Sequence, residues 1–151
     1  MNPFKDKIYQ SAIAQLKQKE ALLTEERKNI IESILEEEKN SAGDKYETSR
    51  ENMTQDLNSI EKQLKQNKLD LEELYRLHTI KDTPPTVQEG TLVKLGSDWL
   101  LLAISMGQLK VEGQPVFLLS KNSPLGELLV GEKMKASVIF RGKPQSIEEF
   151  Y

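Results

Sequence analysis

Asp44 and Glu47 stand three residues apart in SAGDKYETSRE, residues 41–51, immediately after Gly43. On a helical turn that spacing brings two side chains to one face, with about 5–6 Å between their Cβ atoms. Such a pair is either ordinary solvated charge or two carboxylates presented for a purpose. The chain carries 24 Asp and Glu residues, so the spacing alone decides nothing and the position in the fold must. Other chemistry is sparse. There is one histidine, His78, and no cysteine, which excludes thiolate metal sites, a disulfide framework and a Cys nucleophile. No nucleophile–base constellation is visible, so the chain is not expected to be a hydrolase in its own right.

The elements that must position the pair are uneven along the 151 residues. Residues 1–80 carry 13 Lys or Arg against 16 Asp or Glu, whereas residues 81–151 carry 8 against 8 and hold five of the six prolines and seven of the eight glycines. A formal net charge of −3 gives no global field for nonspecific binding to nucleic acid or anionic membrane. The N-terminal MNPFKDKIYQ has no apolar stretch, and nowhere do eighteen apolar residues run together. A cytoplasmic, soluble, monomeric protein with no membrane contact is the expectation.

In the first half, apolar residues step by four and three: Met53, Leu57, Ile60, Leu64, then Asn67, Leu71, Leu74 and His78. An earlier seam matches it: Tyr9, Ile13, Leu16, Glu20, Leu23, Arg27, Ile30, Ile34. These are heptad seams, and no Pro or Gly interrupts either one. Folded antiparallel, Ile34 meets Met53, Leu23 meets Leu64, Glu20 meets Asn67 and Tyr9 meets His78. Every pair is centred on one point, between Gly43 and Asp44. The spacing therefore predicts a hairpin over 1–81, with its tip at 41–48 and helices about 50 Å long. The polar layer of Glu20 and Asn67 either pins the register or tolerates solvent. Lys62, Lys65 and Lys68 recur on one side of the second helix, an ordinary solvated face or a guide for phosphates.

A linker over 82–90 opens with DTPPT, which cannot continue a helix. Strands are predicted at 91–95, 99–105, 115–120, 135–140 and 146–150, with turns at Gly107–Gly113 and around Gly142, Lys143 and Pro144. Ser123 as N-cap, Pro124 at the first position and Gly131 just past the end delimit one helix. Five strands and a helix make a small α+β unit over 91–151, with Trp99 expected in its core.

A coiled coil, a linker and a β-rich domain containing FLLSKNSPLGELLVGEKMKASVIF resemble the Gre transcript-cleavage factors of bacterial RNA polymerase. The match rests on Ser123, Pro124, Leu125, Gly126, Leu129, Gly131 and Val138, with EGTLVKLG resembling the opening strand of the family's second domain. The resemblance implies an FKBP-like C-terminal domain that docks on the polymerase through Ser123, Pro124, Leu125 and Gly126. It implies a coiled coil inserted through the secondary channel, stimulating the polymerase's own cleavage of backtracked RNA near the nascent 3′ end. Asp44 and Glu47 would then be the catalytic assistants, helping to hold Mg²⁺ shared with the polymerase; no cofactor of the chain's own is implied. Gly43, Lys45, Tyr46 and Arg50 would be the contacts around them.

The chain also departs from the family pattern. Lys45 stands where an apolar residue is expected, and the tip is short. A rival alignment places YETSRE, 46–51, on a later family segment and deletes the acidic pair. Two other functions stay open: a secondary-channel regulator or inhibitor without cleavage, and a coiled-coil adaptor unrelated to transcription.

Overall fold

The computed structural model describes residues 1–39 and 44–151, and the side chains of 44–46 lie outside that description. The class is α+β, as expected. A helix α1 spans Pro3–Lys39, a helix α2 spans Asp44–His78, and a strand-rich region follows. By contacts the chain forms two compact units, residues 15–71 and residues 1–14 with 72–151. The first turns of α1 and the last turns of α2 thus belong with the strands.

Local chemistry explains the helix ends. Asn2 caps α1, its Oδ1 accepting from the backbone N–H of Phe4 at 2.9 Å and Lys5 at 3.1 Å, with Pro3 at the first helical position. At the other end of α2, Thr79 Oγ1 donates to the carbonyl of Arg76 and Lys81 Nζ to that of His78, satisfying acceptors the helix cannot. Pro84 and Pro85 follow.

In the unit of residues 15–71 the predicted seam is present. Leu16, Leu23, Ile60, Asn67 and Leu71 are buried, while Ile30, Ile34, Met53, Leu57 and Leu64 are half-buried. Two polar seam positions depart from the expected pairing. Arg27 is exposed and bonds Glu61 at 3.1 Å instead of facing Ile60, because a thin two-helix seam cannot bury a guanidinium. Glu20 is exposed, so it forms no buried polar layer with Asn67. Instead Asn67 is 3% exposed, and its Nδ2 donates to the Leu16 carbonyl at 2.9 Å. Its Oδ1 has no partner among the described residues. A buried acceptor without a donor costs about 1–3 kcal/mol.

The other unit is built on a sheet of six strands: β1 Leu92–Leu95, β2 Asp98–Leu102, β3 Gly107–Val111, β4 Gln114–Leu119, β5 Ser137–Phe140 and β6 Lys143–Phe150. Their order is β3-β4-β2-β1-β6-β5. β2 and β4 run parallel and the other neighbours antiparallel. A helix α3 spans Pro124–Leu129. The sixth strand, β3, corrects the expectation of a turn over Gly107–Gly113. Leu109 and Val111 alternate with Gln108 and Lys110, and only Glu112 and Gly113 turn. Both turn residues have positive φ, 52° and 78°, the pattern of a two-residue type I′ hairpin. The turn after β5 is likewise confined to Arg141 and Gly142, so Lys143 and Pro144 belong to β6.

The central strands are buried on both faces, which is why WLLLAI reads as a continuous apolar run. Val93, Leu95, Leu100, Leu102, Ile147 and Phe150 form one core with Leu129 of α3, Val138 of β5 and Val87. Leu92, Leu101, Val116 and Leu118 point the other way and are also buried. Trp99, expected in the core, is only half-buried on that second face. There its ring meets Phe4 of α1 edge-on, with centroids 5.5 Å apart. Its size is accommodated at the margin, where the first turn of α1 covers one side.

Two predictions follow from these contacts. Replacing Asn67 by Leu removes the orphaned acceptor and extends the apolar seam, so the urea midpoint is expected to rise, by about 1–2 kcal/mol in stability. A fall would show that the Nδ2 bond to Leu16 outweighs the orphan. The second concerns Asp6. His78 Nε2 lies 2.6 Å from Asp6 Oδ1, and since an ionised carboxylate only accepts, the imidazole donates. That bond, aided by the charges of His78 and Lys81, holds the Asp6 carboxyl below its ordinary value. A depressed carboxyl stabilises the fold above its unfolded pKa, about 3.9, and loses that contribution as pH falls through the lower folded value. The stability gap between the parent and Asp6→Asn is therefore expected to close as pH falls from about 5 toward about 2 in thermal unfolding. A gap independent of pH would remove the Asp6 charge from the account.

Candidate functional site

The acidic pair falls at the opening of α2, which begins at Asp44. Carboxylates are favoured there, because the first backbone N–H groups and the helix dipole present positive charge. Glu47 is exposed and makes no ion pair among the described residues. Gly43 and the side chains of Asp44, Lys45 and Tyr46 lie outside the described residues, so of the expected cluster only Glu47 and Arg50 have described side chains. Arg50 is exposed but engaged: its guanidinium pairs with Glu38 of α1 at 2.9 Å. An ion pair this open contributes at most about 1 kcal/mol, yet it fixes where the charge sits.

Glu47, Arg50, Glu51, Thr54 and Gln55 line a shallow depression on α2. Glu51 was not among the residues singled out by spacing. It stands four residues after Glu47, which puts both carboxylates on one helical face with Arg50 between them. The sequence ETSRE carries that i, i+4 spacing. The donors fit a hard cation: carboxylate oxygens are what Mg²⁺ prefers, and one or two of them leave the remaining positions to water, phosphate or a partner. Among the described residues, no three His, Asp or Glu side chains form a group able to hold a metal.

The SPLG segment has a complete structural account. Ser123 is the N-cap of α3, its Oγ accepting from Gly126 N at 3.1 Å and donating to the Ser120 carbonyl at 2.7 Å. Pro124 occupies the first helical position and is exposed. Leu125 packs, half-buried, on the core. Gly126 is buried where a Cβ would come within 2.2 Å of the Ser120 carbonyl oxygen and 2.9 Å of Lys121 Cα, so no larger residue fits without moving backbone. Of the four expected docking residues, only Pro124 is exposed. Leu128, on the outer side of α3, is 52% exposed.

Tyr9 and His78 meet as their seam positions predict, with rings stacked 5.0 Å apart at 21°. Lys62, Lys65 and Lys68 are all exposed on α2. No helix among the described residues is long and apolar enough to cross a membrane. Comparison of the chain with protein-family models, curated proteins and solved structures gives no match.

The cap makes a graded prediction. Ser123→Ala loses one cap bond and is expected to lower stability by about 1 kcal/mol. Gly126→Ala forces backbone to move and is expected to cost at least about 2 kcal/mol. Denaturant titrations of both variants rank the two; equal costs would mean that the Gly126 contact relaxes freely.

Proposed function

We propose that the chain is a Gre-like transcription elongation factor, which acts on bacterial RNA polymerase rather than being an enzyme itself. The observation that carries this reading is the opening turn of α2. Glu47, exposed and without an ion pair among the described residues, follows Asp44 by three residues in the first turn of α2, in a chain whose second half is an SPLG-capped, strand-rich fold. In this reading the helical pair enters the polymerase's secondary channel and the strand-rich domain docks outside it, near Pro124. Asp44 and Glu47 would be the residues that help hold Mg²⁺ shared with the polymerase. That ion supplies activation of a water for attack on the RNA phosphodiester. The chain's own part is to place hard oxygen ligands on one helical face and to keep Arg50 tied to Glu38 beside them.

A second reading, a channel-binding regulator without cleavage, is favoured by the short connection. Only residues 40–43 separate α1 from α2, and Lys45 stands beside the acids where the resemblance expects an apolar side chain.

A halted, backtracked polymerase complex with Mg²⁺ separates these readings. Added protein is expected to accelerate RNA shortening, and Asp44→Ala or Glu47→Ala to reduce the acceleration at least about 10-fold, on the scale of a lost metal-site partner. Polymerase binding without shortening would leave the regulator, and no binding at all would leave a coiled-coil adaptor.

A further inference from the structure

We propose that the β5–β6 turn is a docking point for a carboxylate-bearing surface of a partner protein, gripped by Arg141 and Lys143. Arg141 has φ 55°, a left-handed conformation that bulky residues rarely adopt and that Gly or Asn would adopt with less strain. What arginine adds there is visible in its contacts. Its guanidinium lies over two rings at once, 4.8 Å from the centroid of Phe140 and 5.1 Å from that of Phe117 on β4. Stacking of this kind fixes the plane of the group while leaving its in-plane N–H donors at the edge for a planar acceptor.

Lys143 joins it by register. It is the direct antiparallel partner of Phe140, so the lysine, the ring and the stacked guanidinium share one face of the hairpin. Arg141 and Lys143 are both exposed, and neither has a carboxylate partner among the described residues. Several other cations of the same unit do: Lys7 pairs with Glu112, Arg76 with Glu73 and Glu89, Lys121 with Glu89 and Lys135 with Glu148. The turn therefore holds two cations together, one of them immobilised, with no carboxylate among the described residues paired to either.

A protein carboxylate fits this arrangement better than a nucleic-acid backbone. Affinity for phosphate backbones grows with the number of phosphates neutralised, and two cations give a salt slope of only about −2. The domain around them is balanced, 8 basic against 8 acidic residues over 81–151, so no wider positive field assists. One oriented guanidinium beside a flexible ammonium suits a bidentate carboxylate with a second acid next to it. The site is independent of what α2 does.

The test is NMR titration of the isotopically labelled full chain at low salt with a blocked hexaglutamate peptide, and separately with a single-stranded oligonucleotide of equal charge. The peptide is expected to shift the Arg141 Nε–H and Lys143 Nζ signals saturably. Arg141→Gln and Lys143→Gln should each weaken the binding at least about 5-fold, on the scale of a charge-assisted hydrogen bond. Shifts spread evenly over all exposed cations, or tighter binding of the oligonucleotide, would overturn the assignment. Should Arg141→Gln loosen the hairpin, Lys143→Gln still decides, because its side chain is exposed: undiminished binding by that variant also overturns it.

Discussion

The hydroxyl of Tyr9 donates to the carbonyl of Gly90 at 3.1 Å, and its ring stacks on His78. Three parts of the chain far apart in sequence meet at this one side chain: the second turn of α1, the last residue of α2 and the segment leading into β1. Burial pushes the phenol far above its ordinary pKa, so it remains a donor across the physiological range. Gly90 has φ 85°, and a Cβ there would stand 3.3 Å from the Tyr9 oxygen and 3.4 Å from Leu77. The bond thus depends on a backbone that comes close because it carries no side chain. Around it, His78 reaches back to Asp6, and the buried ammonium of Lys5 donates to the Tyr151 carbonyl at 3.0 Å. Burial lowers the Lys5 pKa, and the carbonyl supplies the partner that a buried cation requires. Without these polar contacts, the strands would have to hold the bases of two helices by apolar packing alone.

That arrangement explains why a short strand-rich sequence can be stable. A unit of some 60 residues has too little core to be secure by itself. Here β1, β2 and β4 bury both faces, one in the core with Leu129 and Val138 and the other through Leu92, Leu101, Val116 and Leu118. On the first face the β5–β6 hairpin is drawn in by Arg141, which lies over Phe117 of β4, a strand at the far side of the sheet order. On the same core, α3 is locked by Gly126 against the Ser120 carbonyl. The SPLG segment is therefore first a solution to a packing problem, and any surface it offers is secondary to that.

The sequence disclosed what depends on periodicity and concealed what depends on approach. The four-three steps from Tyr9 to His78 located both helices and even the Tyr9–His78 contact, because a seam is a local property repeated. The same reasoning says nothing of whether Arg27 and Glu20 are buried, since the steps count positions and not the cost of burying charge, and both are exposed. β3 was hidden by its flanking glycines, although Leu109 and Val111 alternate correctly and Glu-Gly is an adequate hairpin turn. The Asp44–Glu47 pair is legible as a spacing, and Glu51 is legible in the same way, four residues after Glu47. Nothing in the order of residues announces that Arg141 will reach Phe117, or that Gly126 has no room for a methyl group. Those facts exist only once non-adjacent strands are brought together.

The unit of residues 15–71 is organised on a different principle. Among the described residues its apolar layer is the seam between two helices, interrupted by Asn67 and narrowing toward α2's start, where Ile34 and Met53 are half-buried and Leu35 is 53% exposed. Segments with few buried contacts open at lower free energy than the core. Order near the start of α2 must then come partly from charge. Glu36, Glu37 and Glu38 precede Lys39, the last residue of α1, and are unfavourable near a helix C-terminus where the dipole is already negative. Arg50 relieves this by pairing with Glu38 across the seam. Glu47 and Glu51 remain on the face beside it, without cationic partners among the described residues. Positive charge arriving on that face would reduce the repulsion among Glu38, Glu47 and Glu51.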